Sequence, residues 1–153
     1  MDNKEIKVLI FGINDEYYAT DIMEVERILG YEQTTKLPDS PSFVKGVINY
    51  QGDILPVVSL SEKFNLKGEC KNKDAKIIVT KQDENKIGVL VDVVSEVRDV
   101  DLDSIDEAPP IAAGISKRYI KGLIKSKDEI IIFLNLSTIL TEEEKEIIQN
   151  SSK

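Results

Sequence analysis

Reactive side chains are sparse in this chain. Its 153 residues include 28 aspartates and glutamates and 20 lysines and arginines, with a single cysteine and no histidine. Without histidine, the commonest general base near neutral pH and the commonest zinc ligand are both missing. Cys70 stands in the polar run KGECKNKD, near lysines but with no base to pair with, and reads as structural or incidental rather than as a nucleophile. It has no partner for an internal disulfide, which fits a reducing compartment. Carboxylate chemistry is the remaining enzymatic option, and Asp21 and Asp92 are its candidates. They recur at the equivalent place in two halves of the chain, directly before a turn, where a structural cap belongs. A carboxylate enzyme would need a concave site with convergent polar groups and shifted pKa values. The run Asp99, Asp101, Asp103, Asp106 and Glu107 alternates like a calcium loop but lacks that loop's central glycine and terminal glutamate, so it reads as solvated loop. The residues imply no cofactor and no metal. They point to a surface that binds rather than reacts.

Hairpins are the elements that would present such a surface. The stretch FVKGVINYQGDILPVVSL from Phe43 to Leu60 places two β-rich runs around Gln51-Gly52-Asp53, a tight-turn signature in which Gly52 supplies a positive φ. Gly46 reads as the stop of a short turn begun at Ser40 or Pro41, just before the first of these strands. An earlier apolar run, Lys7 to Phe11, is buried on both faces by its composition; it breaks at Gly12 and the tip Asn14-Asp15-Glu16 and resumes at Tyr17. Asp21 then opens one turn, with Glu24 at capping-box spacing, before a β-rich stretch from Arg27 to Tyr31. Leu60 to Phe64 reads as a short helix or turn, and Lys67 to Asp74 as a solvated linker.

The pattern then starts again. Lys76-Ile77-Ile78-Val79 repeats the first apolar strand, Asp83-Glu84-Asn85 repeats its polar tip, and Ile87 to Val91 returns. Tyr119-Ile120-Lys121-Gly122-Leu123-Ile124 mirrors Phe43-Val44-Lys45-Gly46-Val47-Ile48, and Ile130 to Leu136 takes the place of ILPVVSL. Four elements in the same order make two copies of one unit. Short strands at this spacing, with turn signals between them, predict two small barrels packed together. Thr141, followed by three glutamates, begins a last helix.

The formal net charge of −8 argues against nucleic acid and against an anionic membrane surface as partners. Four phenylalanines, five tyrosines and no tryptophan also speak against an oligosaccharide- or RNA-binding barrel. No apolar run approaches the roughly 18 residues of a membrane span, which predicts no direct membrane insertion and a cytoplasmic protein.

Asp21-Ile22, Val25, Ile28, Leu37-Pro38, Pro41, Gly46-Val47, Asn49, Gly52, Ile54, Pro56-Val57 and Leu60, with Gly88, Val91-Asp92 and the Gly122 hairpin in the second half, resemble the signature of the CheW family of chemotaxis adaptor proteins. The resemblance implies a mainly all-β fold: two small five-stranded SH3-like β-barrels packed around a shared apolar core, with short helices and a C-terminal helix. The first barrel would span roughly residues 15–70, the second roughly 1–14 and 71–140, and the helix and tail 141–153. It further implies a non-enzymatic adaptor, associated with membrane chemoreceptor arrays, that links the cytoplasmic hairpin tip of chemoreceptors to the regulatory domain of the histidine kinase CheA. Leu9, Ile22, Val25, Ile28, Val93 and Val97 would line a receptor-binding groove between the barrels. Arg27, Gly46, Asn49, Tyr50, Gln51 and Gly52 would form a kinase- or receptor-binding hairpin surface, and Ile111 a second kinase contact. The family pattern carries arginine where this chain has Gln51, glutamate where it has Arg27 and often aspartate where it has Ser59. Specificity is a difference of affinities, so such charge swaps at partner-facing positions can separate parallel signalling systems.

Overall fold

The computed structural model describes residues 5–64, 75–82, 85–107, 111–112, 115–116, 119–126 and 129–140, with 144 and 146. The predicted linker from Lys67 to Asp74 lies outside these residues, as does most of the predicted C-terminal helix.

Strands dominate. The first hairpin is β1 (Glu5–Ile13) and β2 (Glu16–Asp21), joined through Asn14 and Asp15, both at positive φ. A 3₁₀ turn at Ile22–Glu24 leads into β3 (Val25–Gly30). The second hairpin, β4 (Val44–Tyr50) and β5 (Asp53–Ser59), turns at Gln51 and Gly52, again both at positive φ, the two-residue connection whose twist matches that of its strands. Asn49 Oδ1 braces it by accepting from the Gly52 N–H at 3.1 Å. Helix α1 (Leu60–Lys63) follows, with Ser59 Oγ accepting from the Glu62 N–H. The second copy supplies β6 (Lys76–Gln82), β7 (Asn85–Val91) and β8 (Val93–Asp101), then the short β9 (Ile105–Asp106), β10 (Ile111–Ala112) and β11 (Ile115–Ser116), and finally β12 (Ile120–Ser126) and β13 (Glu129–Leu134).

Pairing crosses between the copies. One sheet has the order β8-β1-β2-β13-β12-β9, the other β3-β6-β7-β5-β4. The β1–β2 hairpin of the first copy thus sits among strands of the second copy, and β6–β7 sits among strands of the first. In each sheet the hairpin has an antiparallel neighbour on one side (β8 on β1, β3 on β6) and a parallel one on the other (β13 on β2, β5 on β7). Strand pairing groups the chain by hairpin and not by copy: residues 16–21 pair with 5–13, and 76–91 pair with strands of the 25–59 stretch. A hairpin is a local feature, but its outer neighbours are chosen by packing over long sequence separations.

Alternation along β1 explains its unbroken apolar run. Leu9, Phe11 and Ile13 face a core shared with Val44, Val58, Ile78 and Val89 of the other sheet, while Val8 and Ile10 face the interior of their own barrel with Ala19, Ile124 and Phe133. The other barrel closes over Ile48, Leu55, Val57, Ile77 and Val79. Phe11 and Tyr18 stack in the shared core with ring centroids 6.0 Å apart. One sheet has five strands, as expected; the other gains a sixth from two-residue β9.

Two expectations are corrected. Gly46 lies inside β4, at a bulge, not ahead of the strand. Its φ is +137°, and a Cβ there would lie 2.3 Å from the Thr35 carbonyl oxygen, because Thr35 crosses to pair with Val47. Gly122 occupies the matching bulge of β12, where β9 makes the same close approach. The acidic stretch from Asp99 is not loop: β8 runs to Asp101, which accepts from the Asp103 N–H to cap a second 3₁₀ turn, Leu102–Ser104.

Candidate apolar edges and the hairpin rim

The two antiparallel edge strands match residue for residue. β3 pairs Ile28 with Ile78, and β8 pairs Val97 with Leu9; each strand is bulged two residues earlier. Directly opposed residues share a sheet face, so Ile28 and Val97 stand on the faces that carry the shared core. Their partners are buried in that core. Ile28 is 39% exposed and Val97 51%, because each strand is the last in its sheet among the described residues. Val25 and its counterpart Val94 are partly buried against the same core, as is Ile22. Val93 packs over Gly12, where a Cβ would meet its Cγ1 at 2.9 Å.

Five of the six expected groove residues therefore retain some exposed surface, and the sixth does not. Leu9 is 1% exposed and belongs to the core. β1 is an interior strand, covered by β8 and β2 on its flanks and by the opposite sheet on its face. Sequence reasoning also missed Met23, which is 86% exposed on the 3₁₀ turn between Ile22 and Val25. A large apolar residue inside a capped turn that precedes an edge strand was its available signal.

The hairpin rim is arranged differently from the expectation at two positions. Asn49, Gln51 and Gly52 are exposed at the β4–β5 turn, and Arg27 is exposed on β3. Tyr50 is 6% exposed, its ring inside the barrel, because alternation along β4 turns it inward. Its hydroxyl reaches the rim and donates to Glu26 Oε2 at 2.7 Å, joining β4 to β3 although these lie at opposite ends of the sheet order. That contact and the Thr35–Val47 bridge curl the sheet towards closure. Lys86 Nζ lies 3.0 Å from Glu26 Oε2 and over the Tyr50 ring. The Tyr50 hydroxyl, then Lys86, hold the Glu26 carboxyl below the ordinary carboxylate value, and the same hydrogen bond raises the Tyr50 phenol. Gly46 is buried at its bulge and not part of the exposed rim. Ile111 forms β10, which pairs with β11 apart from both sheets.

Neither candidate carboxylate sits in a catalytic arrangement. Asp21 accepts from the Met23 N–H and caps the turn. Asp92 accepts from the Asn14 N–H at 2.7 Å, while its own N–H donates to the Gly12 carbonyl. Among the described residues no group of three or more Cys, Asp or Glu side chains converges to hold a metal ion, and no helix is long and apolar enough to cross a membrane.

The family profile of the CheW-like domain matches residues 7–144. The chain belongs to the CheW-like family. It is 32% identical to the chemotaxis protein CheW of Klebsiella aerogenes over 145 residues, which cover 95% of this chain and 87% of that one. It is 27% identical to the protein FrzA of Myxococcus xanthus over 139 residues, 89% of this chain and 86% of that one. The crystal structure of the scaffolding protein TtCheW from Thermoanaerobacter tengcongensis superposes with a TM-score of 0.88 at 32% identity, covering 96% of this chain and 95% of that one. The all-β fold of two small barrels is that of the family, whose members are chemotaxis adaptors and scaffolds rather than enzymes.

Within that family the Ser59 departure has a physical account. Serine and aspartate are both strong N-caps, and Ser59 Oγ performs that task for α1.

Proposed function

We propose that this CheW-like chain is a non-enzymatic coupling protein that joins the cytoplasmic hairpin tip of chemoreceptors to the regulatory domain of the histidine kinase CheA, in the cytoplasm beside membrane receptor arrays. One observation carries the reading: exposed Ile28 and Val97 occupy equivalent places on two edge strands over a single shared core. With Ile22, Met23, Val25 and Val93 they offer branched and flexible aliphatic side chains, which receive the apolar face of an amphipathic helix without polar matching. The receptor tip docks on this surface. The kinase domain meets the rim at Arg27, Asn49, Gln51 and Gly52, and Ile111 supplies a second kinase contact. Receptor state then biases kinase state through the contacts both make to one scaffold.

A dedicated, non-standard kinase or receptor is a second reading, favoured by Arg27 and Gln51. These replace an acid and a base of the family pattern on exposed rim positions.

Titration of the chain with a CheA regulatory domain and with a receptor cytoplasmic fragment tests the proposal. Val97→Arg weakens receptor binding by about tenfold or more and leaves kinase binding intact, because it buries an unpaired charge at one surface only. Gln51→Glu has the converse effect. Both variants folding normally and binding both partners like wild type would remove the proposal.

A further inference from the structure

Glu24 makes more contacts than a solvent-facing turn residue needs. It lies in the Ile22–Glu24 turn that carries Met23 and leads to Val25 and Ile28, yet its carboxylate points away to the second copy. Its Oε1 accepts from the Ser137 N–H at 2.9 Å, and its Oε2 accepts from Lys121 Nζ at 3.2 Å and from Thr20 Oγ1 at 3.3 Å. The side chain is only 14% exposed.

Each of these partners has a reason to accept it. Ser137 belongs to the 3₁₀ turn Leu136–Thr138, whose Asn135 cap position makes no side-chain capping bond; Asn135 Oδ1 instead accepts from the Ser137 hydroxyl. The early N–H groups of such a turn want an anionic acceptor, and Glu24 supplies one from the other end of the sequence. Lys121 is held from its other side by the Phe133 ring, 5.3 Å from Nζ. One carboxylate therefore links the apolar turn to β12 and to the turn that follows β13.

We propose that Glu24 is a positioning residue for the receptor-binding edge. It holds the Ile22–Glu24 turn against the second copy, so that Met23 projects outward and Val25 seats on the shared core in one fixed arrangement. Free of this tie, the turn keeps the Asp21 cap, the packing of Ile22 on the shared core and the start of β3, but nothing fixes its end at Glu24, which the incoming helix must then order at a cost in affinity. This inference rests on the receptor-binding reading above and adds a residue that touches no partner.

The test compares Glu24→Ala, Glu24→Gln and Lys121→Met in the full chain by two readouts. The first is amide exchange at Met23 and Ser137 in the free protein, and the second is affinity for a receptor cytoplasmic fragment beside that for the kinase domain. Glu24→Ala speeds exchange at both amides and weakens receptor binding by about tenfold, the equivalent of one charge-assisted hydrogen bond, with kinase binding unchanged. Glu24→Gln, which keeps an acceptor for Ser137, recovers most of the loss. Lys121→Met, which folds even if Glu24→Ala does not, shows a smaller loss at the receptor alone. Wild-type exchange at both amides in Glu24→Ala overturns the proposal, and so does an equal loss for both partners, which marks general destabilisation. If the wild-type chain binds no receptor fragment, the receptor reading fails on its own, while the exchange comparison still decides whether Glu24 holds the turn.

Discussion

Gly46→Ala tests how the first barrel is closed. The residue sits at the β4 bulge with φ of +137°, and a Cβ would lie 2.3 Å from the Thr35 carbonyl oxygen and 2.7 Å from its carbon. Both atoms are backbone, so no side-chain rotation relieves the overlap. The Thr35 segment must move, and with it go the Thr35 N–H to Val47 carbonyl bond at 2.9 Å and the reciprocal bond at 2.8 Å. Two hydrogen bonds at about 1 kcal/mol each, with about 1–3 kcal/mol for an alanine held in a sparsely populated conformation, give a loss of about 3–5 kcal/mol. Gly52→Ala is the control: φ is +86°, nothing lies within 4 Å of the added carbon, and only the backbone cost of about 1–2 kcal/mol applies. Urea unfolding at equilibrium separates the two, with the slope of the transition unchanged. A Gly46→Ala loss no larger than that of Gly52→Ala would refute the argument that the crossing chain, rather than turn geometry, fixes this glycine.

Three further outcomes follow from burial and charge. Leu9→Ala costs about 2–5 kcal/mol of stability, whereas Val97→Ala, directly opposite but half exposed, costs well under half of that; matched thermal melts check the contrast. Burial raises the Tyr18 phenol to about 12, so its contribution is fully present below the ordinary value of 10.0 and is lost as pH rises through the folded value; ultraviolet titration shows this tyrosine ionising late, and Tyr18→Phe removes the step. Glu26 is shifted the other way, below 4.5, by Tyr50 and Lys86, so its contribution is present above that value and is lost as pH falls through the folded value. Glu26→Gln flattens the acid limb of a stability-versus-pH curve; an acid limb identical to wild type would contradict the assigned contacts.

What the sequence made legible was local. Both hairpins with tips at Asn14-Asp15-Glu16 and Gln51-Gly52-Asp53, the short helix or turn at Leu60–Phe64 and the repeat itself follow from β-rich runs and the residues that break them. What it concealed depended on neighbours distant in sequence. Leu9 and Val97 are both branched or aliphatic, and nothing in their types says that one lies on an interior strand and the other on an edge. The family resemblance puts Tyr50 with its hairpin on the contact surface, yet strand alternation sends its ring inward and leaves only the hydroxyl at the rim. Gly46 looked like a punctuation mark because the crossing of Thr35 is invisible without the fold.

Exchange of hairpins between the copies explains why the proposed receptor surface is built from edges. Each copy lends its first hairpin to the other's sheet, so the strand that follows it, β3 or β8, becomes the flank of the opposite copy's hairpin. The two flanks carry matching apolar positions, Ile28 and Val97, on the faces over the shared core. Their neighbours differ. The residue before Ile28 is Arg27, while its counterpart before Val97 is Glu96, which forms an ion pair with Arg98. Arg27 lies opposite Val79 and Glu96 opposite Ile10, residues of the two barrel interiors, so both charged residues stand on the sheet faces away from Ile28 and Val97. In the proposed reading, Arg27 therefore serves the rim that meets the kinase domain, and the apolar receptor surface is left to Ile28, Val97 and their neighbours. Arg27→Glu should therefore change kinase binding and leave receptor binding as in wild type; an equal change for both partners in titration would show that the two surfaces are not separate.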